Sequence, residues 1–147
     1  MPTRAPPLSH ALKVLLVEDD PDLRMLVTLA FRTRLPQSTL TTCSEGGAAL
    51  DALRAGGFDL ILSDLMMPGM DGASLAQHLA ADPALSSIPM LICSSLSKGE
   101  YGALDTLPNV RAVLRKPMSP QQVIEEVVRV WAGLSGPDSQ EGAESAI

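Results

Sequence analysis

Aromatic side chains are scarce. Phe31, Phe58, Tyr101 and Trp131 make up 3% of the 147 residues, so any core must be aliphatic, built from Leu, Val, Ile, Met and Ala. Clustered positive charge is missing too. The 11 Lys and Arg are scattered among 17 Asp and Glu, for a net charge of −6. An acidic chain without a basic patch is badly suited to gripping nucleic acid by its phosphates, so no nucleic-acid partner is expected. No apolar stretch approaches the ~18 residues needed to cross a membrane. The segment Met1 to His10, with Pro6-Pro7, lacks the apolar run of a signal peptide. No membrane association and a cytoplasmic location are expected. Cysteine occurs only as Cys43 and Cys93, both in apolar stretches, which predicts two buried free thiols acting as small hydrophobes. His10 and His78 stand alone and are expected at the surface.

What is present is a regular alternation. Lys13–Val17, Thr39–Cys43, Leu60–Asp64, Pro89–Ser94 and Val110–Leu114 read as strands. Helical spacing fills the intervals. Asp20-Pro21 is an N-cap followed by proline at the first helical position, and Leu23, Leu26, Val27, Ala30 and Phe31 then share a face until Leu35-Pro36. Further helices are predicted over Ser44–Ala55, ended by Gly56-Gly57, and over Ala73–Ala81, broken before Pro83. A short helix is predicted over Ser97–Thr106. The last opens at Ser119-Pro120 and carries an apolar stripe of Val123, Ile124, Val127, Val128 and Trp131. Five such alternations predict an α/β fold, a doubly wound five-stranded parallel sheet with helices on both faces. One domain over residues 12–133 is expected, with a flexible leader at 1–11 and a disordered polar tail at 134–147.

Four of these strands deliver a distinctive polar group where they end: Glu18 with Asp19, Asp64, Ser94 and Lys116. In open parallel sheets that edge is where ligands bind. Neighbouring carboxylates repel and stay ionised only beside a cation or a lysine. Mg²⁺ suits such a pocket, since it prefers oxygen ligands and keeps waters that a phosphoryl oxygen can replace. A carboxylate can attack phosphorus to give an aspartyl phosphate, and Asp64, at a strand end before the Pro68-Gly69 turn, is the best-placed nucleophile. Lys116 would neutralise a phosphoryl oxygen as a point charge, and the Ser94 hydroxyl would donate to it. Asp20 and Asp71 read as helix caps, and Asp59 as a solvated charge at the opposite edge.

The motifs Val17-Glu18-Asp19-Asp20-Pro21, Leu62-Ser63-Asp64 with Met67-Pro68-Gly69-Met70-Asp71-Gly72, Ser94-Ser95 and Lys116-Pro117 resemble, in order and spacing, the receiver domain of two-component response regulators. The resemblance implies a flavodoxin-like (βα)5 topology. It implies Asp64 as phosphoacceptor, served by a sensor histidine kinase or a histidine phosphotransfer protein. It also implies an Mg²⁺ site of Glu18, Asp19, Asp64 and the Met66 backbone carbonyl, Ser94 as switch hydroxyl, Lys116 as phosphoryl-binding lysine, and a cis bond before Pro117. Such a protein catalyses only its own phosphorylation and dephosphorylation. With 14 residues after Gly133, a stand-alone regulator is expected, signalling through an unknown downstream protein or by onward phosphotransfer.

The chain departs from that family's pattern at Val113, where receivers usually carry Tyr or Phe, and in Asp105-Thr106-Leu107-Pro108-Asn109 before the last strand. A valine has restricted χ1 and no ring to swing between exposed and buried positions. Met66 and Leu96, two residues past Asp64 and Ser94, are apolar, and slow self-dephosphorylation is expected from them. An interaction-only pseudo-receiver is the alternative. A phosphatase of the aspartyl-phosphate type lacks its second acid at Met66, and a dinucleotide site lacks a Gly-rich loop after the first strand.

Overall fold

The computed structural model describes residues 11–67, 69–96 and 104–135. Five parallel strands form one sheet in the order β2-β1-β3-β4-β5: β1 (Lys13–Val17), β2 (Thr39–Cys43), β3 (Leu60–Asp64), β4 (Met90–Ser94) and β5 (Val110–Arg115). Among the described residues, α1 (Pro21–Arg34), α2 (Gly46–Ala55) and α3 (Gly72–Ala80) connect successive strands, and α4 (Pro120–Ser135) follows β5. The order places β3 in the centre, and every one of its five residues is buried. That is why it reads as an unbroken apolar run rather than an alternating one.

Successive strand residues face opposite layers. Leu15, Val17, Ile61, Met90 and Ile92 pack under α2 and α3, which contribute Ala49, Leu50, Leu53, Leu75, Ala76 and Leu79. Val14, Leu16, Leu60, Leu62 and Leu91 face α1 and α4, which contribute Val27, Ala30, Phe31, Val123, Ile124 and Val127. The core is aliphatic as the composition requires; Phe31 is the one ring in either buried cluster of the described residues.

Several details differ from the pattern in the sequence. The helix expected from Ser44 begins at Gly46, after Glu45, which caps it without a side-chain bond. A Cβ on Gly46 would lie 2.6 Å from the Met70 carbonyl oxygen, so only glycine lets α2 start this close to the loop after β3. The fourth strand begins at Met90 rather than Pro89, which has no N–H for the ladder. The fifth strand runs one residue further, to Arg115. Of the short helix expected over 97–106, residues 97–103 lie outside the described residues, and Leu104–Thr106 form a single 3-10 turn. Cys43 and Cys93 are free thiols, each half-buried rather than fully enclosed; Cys43 is the last residue of β2, and Cys93 is the residue before the end of β4. Asp59 does more than meet solvent: its Oδ2 accepts the Lys13 N–H at 2.9 Å and pins the start of β1. The leader and tail residues 1–10 and 136–147 lie outside the described residues.

Candidate functional site

The site forms where β1, β3, β4 and β5 end together. Register places Val17 beside Ser63, Asp64 beside Cys93, and Ser94 beside Arg115. The residues that follow each strand are therefore neighbours, though far apart in sequence.

Local chemistry makes each chain turn away at this edge. Asp20 caps α1, its Oδ1 accepting the Asp22 N–H at 2.9 Å and the Leu23 N–H at 3.4 Å, with Pro21 at the first helical position. After β3, the Leu65 N–H donates to the Cys93 carbonyl at 2.9 Å and the Gly72 N–H returns to the Leu65 carbonyl at 2.8 Å, closing the loop. Gly69 adopts φ 74° within it, and Asp71 Oδ1 caps α3 through the Ser74 N–H at 2.8 Å. A Cβ on Gly72 would sit 2.6 Å from the Asp64 carbonyl oxygen, so α3 presses directly on the Asp64 peptide. Asp20 and Asp71 thus act as caps and stand outside the acidic cluster.

That cluster is Glu18, Asp19 and Asp64, each offering a carboxylate oxygen within 4.8 Å of the others. Glu18 is 5% and Asp64 8% exposed, while Asp19 is open to solvent. Lys116 reaches in from the end of β5, its Nζ 2.7 Å from Asp64 Oδ1. The Lys116 N–H also donates to the Ser94 carbonyl at 2.8 Å, and the peptide between Lys116 and Pro117 is cis. Ser94 is buried, and its Oγ accepts the Leu96 N–H at 2.9 Å. Met66 is 60% exposed beside the mouth. Beneath the carboxylates runs a cavity of about 40 Å³ lined by Leu16, Leu62, Cys93 and Met118 among others, room for water but not for a nucleotide.

Burial pushes the Glu18 carboxyl up to about 7, with the Asp64 charge adding to the rise and the Asp20 N–H, 3.1 Å from Glu18 Oε2, opposing it. Burial works against the charge on Lys116, yet its hydrogen bond to Asp64 and the charges of Asp64 and Glu18 raise it above its ordinary value. Burial takes the Cys93 thiol up to about 12, which makes it an inert neighbour of Asp64 and not a nucleophile. Three carboxylates facing one lysine leave uncompensated negative charge, and an all-oxygen donor set of this kind fits a hard divalent cation such as Mg²⁺.

The sequence pattern pointed to Glu18, Asp19, Asp64, Ser94 and Lys116, and the fold brings all of them to one edge. It missed Arg24, whose Nη1 donates to the Glu18 carbonyl at 2.8 Å. The signal available was a guanidinium at the close of the first turn of a helix that starts from an acidic loop.

Comparison with known proteins agrees with this geometry. Residues 14–128 match the response regulator receiver domain. The chain is 39% identical over 103 residues to the transcriptional activator protein PfeR of Pseudomonas aeruginosa, covering 65% of this chain and 32% of PfeR. It is 26% identical over 125 residues to the chemotaxis protein CheY of the same organism, covering 85% of this chain and all of CheY. The structure of the chemotaxis response regulator CheY4 of Vibrio cholerae superposes with a TM-score of 0.74 at 24% identity, covering 82% of this chain and 99% of that one. The chain spans about a third of one curated relative and the whole of another. With the family's domain spanning residues 14–128, most of its length, and a five-stranded parallel sheet in the order β2-β1-β3-β4-β5, the chain belongs to the response regulator receiver family.

Proposed function

We propose that this chain is a phosphorylatable switch in which Asp64 accepts a phosphoryl group from the phosphohistidine of a sensor histidine kinase or a histidine phosphotransfer protein. The observation that carries this reading is the contact of Lys116 Nζ with Asp64 Oδ1 at 2.7 Å inside the cluster completed by Glu18 and Asp19. The reaction exchanges a P–N bond to imidazole for a P–O bond to the Asp64 carboxylate. Glu18, Asp19, Asp64 and the Met66 carbonyl would hold Mg²⁺, which supplies neutralising charge for the carboxylates and phosphoryl oxygens. Lys116 would move from carboxylate to phosphoryl oxygen, and the Ser94 hydroxyl would turn toward the same group. Because Lys116 and Ser94 share a backbone hydrogen bond, one phosphoryl group draws the ends of β4 and β5 together and favours a second conformer. Output then follows as contact with a downstream protein or as onward transfer to another histidine.

The surface around the mouth supports a protein donor. Met25, Leu26 and Leu29 on α1 are 63%, 50% and 50% exposed, and Arg24 and Arg32 lie beside Met25 and Leu29 in the same surface groove. α1 starts directly from the acidic loop, so a helical donor face laid over it would place a histidine at Asp64.

The pseudo-receiver alternative draws on Val113, half-buried against the cluster that includes Leu104 and Val110. A side chain packed into the core offers no rotating ring to report on the site. The two readings separate in intact-mass spectrometry after incubation with acetyl phosphate. A Mg²⁺-dependent gain of one phosphoryl group, lost in Asp64→Asn, supports the switch; a folded protein with no gain supports the pseudo-receiver.

A further inference from the structure

We infer that Arg24 is a positioning residue for the cation site, holding the Glu18–Asp19 peptide in the orientation that brings both carboxylates to Asp64. The inference rests on the Mg²⁺ reading above but concerns a residue that touches none of the carboxylates.

Glu18 follows the last paired residue of β1, where the ladder stops. It is nevertheless held at three points. Its N–H donates to the Cys43 carbonyl at 3.0 Å. Its Oε2 accepts the Asp20 N–H at 3.1 Å. Its carbonyl accepts Arg24 Nη1 at 2.8 Å. The third contact matters most for Asp19. A peptide unit is planar, so fixing the Glu18 carbonyl also fixes the direction in which the Asp19 backbone departs. Asp19 is solvent-exposed, so its placement depends on this backbone rather than on packing. Arg24 is itself anchored. Its N–H donates to the Asp20 carbonyl at 3.0 Å, and its carbonyl accepts the Thr28 hydroxyl at 2.7 Å. The capped first turn of α1 therefore delivers the guanidinium back onto the loop from which the helix began.

Charge and position make opposite predictions, which makes the inference decidable. A cation beside an acidic cluster repels Mg²⁺, so charge alone predicts tighter binding once Arg24 is removed. Positioning predicts weaker binding, on the order of tenfold, the low end of what outer partners of metal ligands cost when deleted.

The test is calorimetric Mg²⁺ titration of wild type, Arg24→Met and Arg24→Lys, with thermal midpoints recorded in the absence of metal. The expected result is an approximately tenfold weaker Kd for Arg24→Met, largely recovered in Arg24→Lys, whose ammonium can still reach a carbonyl. Should Arg24→Met fail to fold, Arg24→Gln takes its place. An unchanged or tighter Kd in the folded variant overturns the inference, as does a lowered metal-free midpoint with normal Mg²⁺ affinity, which would mark Arg24 as merely structural. The titration needs no phosphorylation, so a wild type that binds Mg²⁺ but takes no phosphoryl group would overturn the proposed function and leave this inference standing. A wild type that binds no Mg²⁺ would overturn both.

Discussion

Lys116 is bound at both ends of its length: Nζ lies 2.7 Å from Asp64 Oδ1, and its backbone N–H donates to the Ser94 carbonyl at 2.8 Å. One residue thus couples the Asp64 carboxylate to the end of β4. Lys116→Ala should keep Mg²⁺ binding, because the oxygen ligands remain, but lose the coupling. Hydrogen exchange is the check. Phosphorylated wild type should show altered protection of the amides from Ser94 to Leu96, and phosphorylated Lys116→Ala should show the unphosphorylated pattern.

Mg²⁺ affinity should depend on pH through Glu18. Burial raises this carboxyl from an ordinary 4.5 to about 7, so the folded chain binds its proton more tightly than the unfolded chain does. That preference contributes stability below about pH 4.5, which is lost as pH rises through about 7. The cation requires the ionised form. Apparent Mg²⁺ affinity should climb toward pH 7 and level above it, with proton release on binding below that point. Calorimetry in two buffers of different ionisation enthalpy measures the proton directly, and Glu18→Gln should abolish the release while weakening affinity.

A charge on the uncovered face of α1 should separate protein donors from small ones. Met25→Glu and Leu29→Glu replace residues 63% and 50% exposed, so the fold should tolerate them within about 0.5 kcal/mol. Transfer from a phosphohistidine protein should slow by roughly tenfold or more, a loss of about 1.4 kcal/mol of transition-state contact. Uptake from acetyl phosphate should be unchanged. Rapid-quench kinetics with both donors gives the comparison.

Met66 is 60% exposed at the mouth, and Leu96 is packed against the core two residues past Ser94. Neither side chain can orient a water for attack on an acyl phosphate. The phosphorylated chain should therefore lose its label slowly, and Met66→Glu should speed the loss several-fold. Following intact mass with time decides it; a faster loss from wild type than from Met66→Glu would refute the shielding role.

Much of this architecture was legible in the sequence because the burial was total. β3 is buried along its whole length, and a run such as Leu60-Ile61-Leu62 has no other use. The caps were equally plain, since Asp20 before Pro21 and Asp71 before Gly72 satisfy helix N–H groups locally. Less legible were contacts made across the chain. Nothing near Gly46 in sequence reveals that Met70 presses on it, and Asp59 looks solvated until Lys13 is placed beside it. The polar residues of the site were visible individually at strand ends, but their distances follow from the strand order. Arg24 was hidden for a related reason: a helix arginine usually meets solvent, and only the turn of α1 back over β1 gives it the Glu18 carbonyl.

The most direct test of the central claim is the chemical identity of residue 64 after phosphoryl transfer. Borohydride reduces an aspartyl phosphate to homoserine and leaves a free carboxylate untouched. Wild type treated with acetyl phosphate and Mg²⁺, then reduced, digested and sequenced by mass spectrometry, should carry homoserine at position 64 and aspartate at positions 19, 20 and 71. Homoserine at one of those other positions, or at none in a chain shown to be folded and loaded with Mg²⁺, would contradict the assignment of Asp64 as the phosphoacceptor.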